Sequence, residues 1–140
     1  MLYRYTDNDL DLLGRILRAE AVGEGELGML MVGNVVNNRL ISTCLDFENL
    51  RTLDDVIYQT NAFSSINSPL FVFRATAREK ELAEDALRGR KEWPASNALW
   101  FYAPSGDQPC DATRFNQQLA GNFKNHCFYR PDPGVCYELQ

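Results

Sequence analysis

Between Glu26 and Ile41 the chain is apolar almost all the way round a helix, because Leu27, Leu30, Met31, Val32, Val35 and Val36 fall on no single side. A helix without a wet face has to lie in the middle of a domain, so the remaining elements must pack around it. Gly28 and Gly33 let a neighbour approach closely, at a cost in helix propensity. The same helix carries Asn34, Asn37, Asn38 and Arg39. Asn34 and Asn38 stand four apart on one face, where they either line a polar groove or satisfy buried backbone groups at a helix end. Arg39 suits pairing with a carboxylate or holding a loop carbonyl, and a structural use is expected.

The helix before it presents a conflict. Thr6 with Asp9 resembles a capping box, and from Asn8 to about Val22 the period is helical until Gly23 and Gly25 break it. Leu10, Leu13, Ile16 and Leu17 share one face with Glu20. A carboxylate on an inward stripe is costly unless it is paired, hydrogen-bonded or protonated. Burial raises a carboxyl pKa, and a carboxyl that keeps its proton near neutrality can serve as a general acid. Glu20 is therefore the candidate catalytic residue. Glu24, one turn on, reads either as a partner carboxylate or as a cap on the next helix, and Glu26 as capping or solvated.

Further along, Ser42 to Arg51 reads as a loop anchored by Phe47 and Leu50, and Thr52 with Asp55 caps a short helix through Tyr58. Asn61 to Ile66 reads as extended, and Pro69 opens a third long helix that Gly89 ends. The outer face of that helix, Arg78, Glu79, Lys80, Glu81, Glu84, Asp85 and Arg88, reads as solvated. Asn97 to Tyr102 has strand composition, and Pro104 to Asp107 is a turn. Thr113 to Lys124 is expected to form a short helix, and Asn125 to Arg130 a last strand. Pro131 to Gln140 is expected to be a peripheral tail. With 140 residues and no repeat or low-complexity linker, the chain reads as one α+β domain, mainly helical, with a small β-sheet and a core over about 7–130.

The formal net charge of −5 argues against nucleic acid or an anionic membrane as partner, and no apolar run is long enough to span a bilayer. Met1 to Asp7 lacks the pattern of a signal peptide, so the chain is expected to stay on the cytosolic side of a membrane. Cys44, Cys110, Cys127 and Cys136 form no C-x-x-C pair, and His126 is the single histidine, so no metal site is expected. Free thiols in a reducing compartment are the main expectation, with a Cys127–Cys136 or Cys110–Cys136 disulfide as the alternative. His126 and Cys127, adjacent on a strand, point to opposite faces, which weakens a Cys–His nucleophile pair. No nucleophile elbow or phosphate loop is present.

Carboxylate chemistry remains, and glycosidic cleavage suits it. A buried glutamate can protonate the leaving oxygen, and aromatic rings offer faces to sugars. The same residue can then take a proton from the sugar's own 6-hydroxyl, giving an anhydro product without water. No cofactor is required. Of Tyr58, Phe63, Trp100, Phe101, Tyr102, Phe128 and Tyr129, most read individually as core, and Tyr58 and Tyr102 are the best groove candidates.

Several separated motifs resemble the SleB/CwlJ family of cell-wall hydrolases. They are Arg18-Ala19-Glu20-Ala21-Val22-Gly23-Glu24, Val32-Gly33-Asn34-Val35-Val36-Asn37-Asn38-Arg39, Val56-Ile57-Tyr58-Gln59 with Ala62-Phe63, Ala86-Leu87-Arg88-Gly89 and Asn125-His126-Cys127-Phe128-Tyr129. The likeness runs from Asp7 to Tyr129 and is strongest to the CwlJ branch. Thr60-Asn61 stands where the family more often has Pro-Gly or Pro-His. The resemblance implies a lysozyme-like domain that cuts spore-cortex peptidoglycan during germination, with Glu20 at the family's catalytic position. Candidate substrate-binding residues are Glu24, Asn34, Tyr58, Gln59, Phe63, Tyr102, Asn125, His126 and Tyr129. The resemblance also implies deposition in the spore coat from the mother-cell cytoplasm, a small coat partner protein and activation by calcium dipicolinate. The alternatives are a hydrolytic muramidase or glucosaminidase, a zinc-independent amidase, and a non-catalytic coat component that binds peptidoglycan.

Overall fold

A computed structural model describes residues 3–42, 44–60, 62–106, 108–136 and 139. Asn61 and Asp107, expected in an extended segment and a turn, lie outside the described residues. Helix α1 (Asp7–Ala21) leads through a 3-10 turn, Val22–Glu24, into α2 (Gly25–Ser42). Then come a 3-10 turn at Leu45–Phe47, α3 (Leu53–Ile57), a 3-10 turn at Ser64–Asn67, α4 (Pro69–Val72) and α5 (Ala77–Leu87). Strands β1 (Trp100–Tyr102), β2 (Thr113–Arg114), β3 (Gln117–Phe123) and β4 (His126–Arg130) form one antiparallel sheet in the order β1-β4-β3-β2. Among the described residues no helix is long and apolar enough to cross a membrane.

Helix α2 is the central element, as its all-round apolarity requires. Val32, Val36 and Leu40 pack with α1, α3 and α5, while Met31 and Val35 pack on Ala95, Ala98 and Phe128 on the sheet side. Gly33 makes the α2–α5 contact close: a Cβ there would lie 2.7 Å from the Ala86 Cβ. Arg18 ties α1 to the α4–α5 junction. Its guanidinium donates to both Glu79 carboxylate oxygens, at 3.0 and 2.6 Å, and to the carbonyls of Leu70, Phe73 and Arg74, at 3.0, 2.9 and 2.7 Å.

Arg18 also accounts for a departure from expectation. The long helix opening at Pro69 is two helices, because three carbonyls at its middle turn outward to the Arg18 fork. The chain restarts at Thr76, which forms a capping box with Glu79. Glu79 is thus half-buried and paired rather than solvated. Two further segments differ. Ser64–Asn67, expected to be extended, is a 3-10 turn. Thr113 to Lys124, expected to be helical, is the β2–β3 hairpin, and Phe115 and Asn116 at its tip take φ of 58° and 61°. Positive φ at both central residues matches a two-residue hairpin turn to the twist of its strands.

The cysteines and the tail are corrected together. Cys44 bonds Cys136 and Cys110 bonds Cys127, each with Cα atoms 5.7 Å apart, so neither free thiols nor the pairings expected from sequence occur. Register places Cys127 opposite Tyr102, the last residue of β1, and its bond to Cys110 ties down the loop that follows. The tail runs back to the end of α2, where Cys136 and Leu139 are buried with Phe47 and Leu99. It closes a core cluster instead of lying at the periphery. Cross-links of this kind restrict the unfolded chain, the more so for the 92-residue separation of Cys44 and Cys136.

The segment from Arg90 to Leu99 contains no helix or strand and is held by side chains of α2. Asn34 donates to the Arg90 carbonyl at 2.6 Å and accepts from the Glu92 amide at 2.9 Å. Asn38 Nδ2 faces the carbonyls of Ala95, Ser96 and Ala98 at 3.3, 3.1 and 2.9 Å, while its Oδ1 accepts from Lys91 Nζ. Arg39 Nε donates to the Leu99 carbonyl at 2.8 Å. Of the two readings of Asn34 and Asn38, the structural one holds. Asn34 is buried, with its side-chain oxygen and nitrogen both used on this segment. Asn38→Leu, which strands the Ala98 carbonyl and its neighbours, should cost about 3 kcal/mol. Urea denaturation should show this as a lower midpoint with an unchanged slope.

Candidate active site

Glu20 occupies the last turn of α1, below Leu13, Ile16 and Leu17, which are fully buried. Its carboxyl is half-buried and makes no hydrogen bond or ion pair with another described residue. Burial pushes its pKa up, and the Ser65 hydroxyl and the Arg39 charge oppose that rise. Ser65 is buried in the Ser64–Asn67 turn, and its hydroxyl faces Glu20 without closing a full hydrogen bond among the described residues. This is an acid of the kind the α1 pattern points to: sheltered, reachable and free to exchange a proton.

Arg39, whose charge opposes the rise at Glu20, has only 7% of its surface exposed. Its guanidinium carbon sits 4.9 Å from the centre of the Phe47 ring and 5.3 Å from that of Phe63. Burial draws its pKa down to about 10, which still leaves it charged at neutral pH. Phe63 is buried, so its ring is a wall for Arg39 and Phe101, with its centroid 6.3 Å from that of Phe101.

A second polar group joins the Val22–Glu24 turn to the sheet. Glu24, 6% exposed, accepts from the Asn125 amide at 3.2 Å through Oε1, which also lies 3.5 Å from His126 Nδ1. Lys124 Nζ donates to the Glu24 carbonyl at 3.0 Å. Burial pulls the His126 pKa down, with Glu24 opposing, so the imidazole is mainly neutral at pH 7. Glu24 Oε2 and His126 Nδ1 have no hydrogen-bond partner among the described residues. His126 meets Phe101 edge-on with centroids 5.3 Å apart, and Phe101 connects this group to the Phe63 wall.

The pleat separates other candidates from this cluster. Register pairs Phe101 with Phe128 on the face toward α2, and Trp100 with Tyr129 and Tyr102 with Cys127 on the opposite face. Tyr129 is fully buried, and its hydroxyl donates to the Asp111 carbonyl at 2.7 Å, so it is a scaffold residue. Tyr102 lines a depression of about 410 Å³ with Asp111 and Arg114, and the Arg114 guanidinium lies 3.7 Å over its ring. Tyr58, 51% exposed, lines another of about 530 Å³ beside Leu50 and Asp54. There Gln59 donates to the Asp46 carbonyl at 3.0 Å. Neither depression includes Glu20. The structure gathers Arg39, Phe63 and Phe101 at one place and Glu24, Asn125 and His126 at another joined through Phe101, and the Arg39 charge bears on Glu20. Ser65 was missed from sequence, because a serine in a short polar run carries no periodic signal. Among the described residues no cluster of three or more His, Cys, Asp or Glu is gathered for a metal.

A family model described as Cell Wall Hydrolase matches residues 23–129. The chain belongs to the cell wall hydrolase family. The match starts just past Glu20 and takes in Arg39, Ser65 and the Glu24–Asn125–His126 group. The hydrolase is 47% identical over 133 residues to the cell wall hydrolase CwlJ of Bacillus subtilis, covering 95% of this chain and 92% of that protein. It is 31% identical over 101 residues to a spore cortex-lytic enzyme of Bacillus cereus, covering 71% of this chain and 36% of that longer protein. The catalytic domain of the germination-specific lytic transglycosylase SleB from Bacillus anthracis superposes with a TM-score of 0.70 at 23% identity, covering 93% of this chain and all of that domain. This cell wall hydrolase is a peptidoglycan-cleaving enzyme with a lysozyme-like fold.

Two titration experiments check the electrostatics. The folded hydrolase holds the Glu20 proton above its ordinary value of 4.5, so the stability linked to that proton is complete below 4.5 and lost as pH rises through the folded value. Glu20→Gln should therefore melt above the parent at pH 7, with the gap closing in acid. His126 has the opposite sign. Its folded value lies below 6.5, so its contribution is present above 6.5 and lost as pH falls through the folded value. Thermal melts of His126→Gln should lose less stability than the parent between pH 7 and pH 5.

Proposed function

We propose that this hydrolase cuts the glycan strands of bacterial spore-cortex peptidoglycan during germination, acting as a lytic transglycosylase with Glu20 as general acid and then general base. The observation that carries the reading is Glu20 itself, a sheltered carboxyl with its pKa raised and no described ion-pair partner. In the first step Glu20 gives its proton to the glycosidic oxygen, the bond from that oxygen to C1 breaks, and an oxocarbenium-like sugar is left. In the second, the sugar's 6-hydroxyl adds to C1 and its proton passes to the Glu20 carboxylate, giving a 1,6-anhydro ring and restoring the acid. No water is consumed.

The intramolecular route is preferred over hydrolysis because Glu24, the neighbouring candidate for a second carboxylate, is buried and held by the Asn125 amide beside His126. The cortex as substrate is supported by the names of the relatives in Bacillus subtilis and Bacillus cereus. On the same reading, and on family resemblance, the protein is deposited in the spore coat from the mother cell, acts with a small coat partner and responds to calcium dipicolinate.

Glu20→Gln keeps the shape and removes the acidic proton. Its release of fragments from purified cortex should fall by on the order of 10²–10⁴-fold. A variant as active as the parent would overturn the assignment. Mass spectrometry of the parent's products should show anhydro-muramic ends, each lighter by one water than the reducing ends of a hydrolytic muramidase or glucosaminidase. Free amino groups without glycan cleavage would indicate an amidase, and binding without release a non-catalytic coat component.

A further inference from the structure

The two disulfides differ in what else holds the chain they tie. Beside Cys110 the backbone is fixed by other bonds: the Tyr129 hydroxyl donates to the Asp111 carbonyl at 2.7 Å, and the Leu119 amide to the Ala112 carbonyl at 3.0 Å. Its partner Cys127 lies inside β4, in register with β1 on one side and β3 on the other. Opening Cys110–Cys127 therefore leaves both ends in place. The tail past Arg130 is different. Its backbone hydrogen bonds among the described residues run from the Val135 amide to the Asp132 carbonyl, at 3.2 Å, and from the Leu139 amide to the Cys136 carbonyl, at 3.1 Å. Both stay within the tail. What fastens it to the domain is the bond to Cys44, with Cys136 and Leu139 buried on Phe47 and Leu99.

The surface beneath the tail stands without it. Leu99 donates its amide to the Tyr129 carbonyl at 2.9 Å, and its carbonyl accepts from Arg39. The Phe47 amide donates to the Cys44 carbonyl at 3.0 Å, and its ring packs by the Arg39 guanidinium and 5.8 Å from the Trp100 ring. The large cluster that joins α1, α2, α3 and α5 contains no tail residue. Segments held by few contacts of their own open at low cost while the core stays closed. The bond is also reachable from one end, because Cys44 is half-buried whereas Cys136 is sealed.

We propose that Cys44–Cys136 is a redox latch: oxidised, it straps the tail over the Phe47–Leu99 cluster, and reduced, it frees the tail while the helices and the sheet stay folded. The reductant is a small dithiol. Its thiolate attacks Cys44 Sγ, the S–S bond breaks, and Cys136 leaves as a thiolate that takes up a proton. The second thiol of the reagent then displaces Cys44 from the mixed disulfide, so one disulfide becomes two thiols and one dithiol becomes a disulfide. Closure runs the same exchange in reverse, with a small disulfide as oxidant. It is favoured by position, since Tyr129, which bonds Leu99, leads directly into the tail and keeps Cys136 at high effective concentration near Cys44. Release uncovers Phe47 and Leu99, an apolar face that the oxidised chain hides.

The test is hydrogen exchange of the full chain, read peptide by peptide by mass spectrometry, in the oxidised state, after dithiothreitol, and after return to oxidised glutathione. Reduction should speed exchange in the tail by on the order of tenfold or more, leave α1, α2 and α5 at their oxidised rates, and be undone by re-oxidation. Cys136→Ser should show the open pattern without reductant, and Cys110→Ser combined with Cys127→Ala the closed one. A tail as protected after reduction as before, a loss of protection spread evenly over the helices, or a tail that stays open after re-oxidation would each overturn the proposal. The parent decides even where a variant fails to fold. Maleimide labelling at rising dithiothreitol shows which thiols are freed, and tail exchange should rise in step with labelling of Cys44 and Cys136. A rise in step with Cys110 and Cys127 instead would overturn the latch.

Discussion

The fold depends on a segment that cannot satisfy its own backbone. From Arg90 to Leu99 the chain forms neither helix nor strand, yet it runs against the central helix with carbonyls out of reach of water. Buried carbonyls need donors, and Asn34 on one turn of α2 with Asn38 and Arg39 on the next supply them. This explains polar side chains on a helix that is otherwise apolar all round. It also delivers β1 to the sheet, because the carbonyl that Arg39 holds belongs to the residue before Trp100. The sheet then closes over Met31 and Val35 through Phe128, and Phe101 reaches across to Phe63.

The site inherits its properties from this arrangement. Glu20 is sheltered because α1 must bury Leu13, Ile16 and Leu17, and the carboxyl is carried inward with them. Arg39 is in place for a structural reason, the Leu99 carbonyl, with the Phe47 and Phe63 rings over its guanidinium. The raised pKa of Glu20 means that the folded protein is less stable with this carboxyl ionised. Glu24, Lys124 and Asn125 tie the β3–β4 turn to the Val22–Glu24 turn that follows α1, so the helix end carrying Glu20 is held by both the helices and the sheet.

How far the site could be read from sequence follows the range of the forces involved. The α1 stripe, the break at Gly23, the Thr52–Asp55 cap and the strands at β1 and β4 depend on neighbours within a turn or two, and the sequence shows them directly. Glu20 stood out because a helix period is local and a carboxylate interrupts it. The division of the helix after Pro69 was invisible, since the cause is Arg18, more than fifty residues earlier. The β2–β3 hairpin was read as a helix because its backbone is set by pairing with β4 and by two residues at positive φ.

The sequence by itself determined that one all-round apolar helix would be central and that a glutamate would be carried inward on the helix before it. Only the tertiary structure decided which cysteines meet, that Asn34 and Asn38 bond the backbone of the Arg90–Leu99 segment, and that Tyr102 and Tyr129 lie on the far side of the sheet from His126. The physical reason is the same in each case. Periodicity says which side of an element is buried, but the partner that buries it is chosen by contacts between residues far apart in the chain.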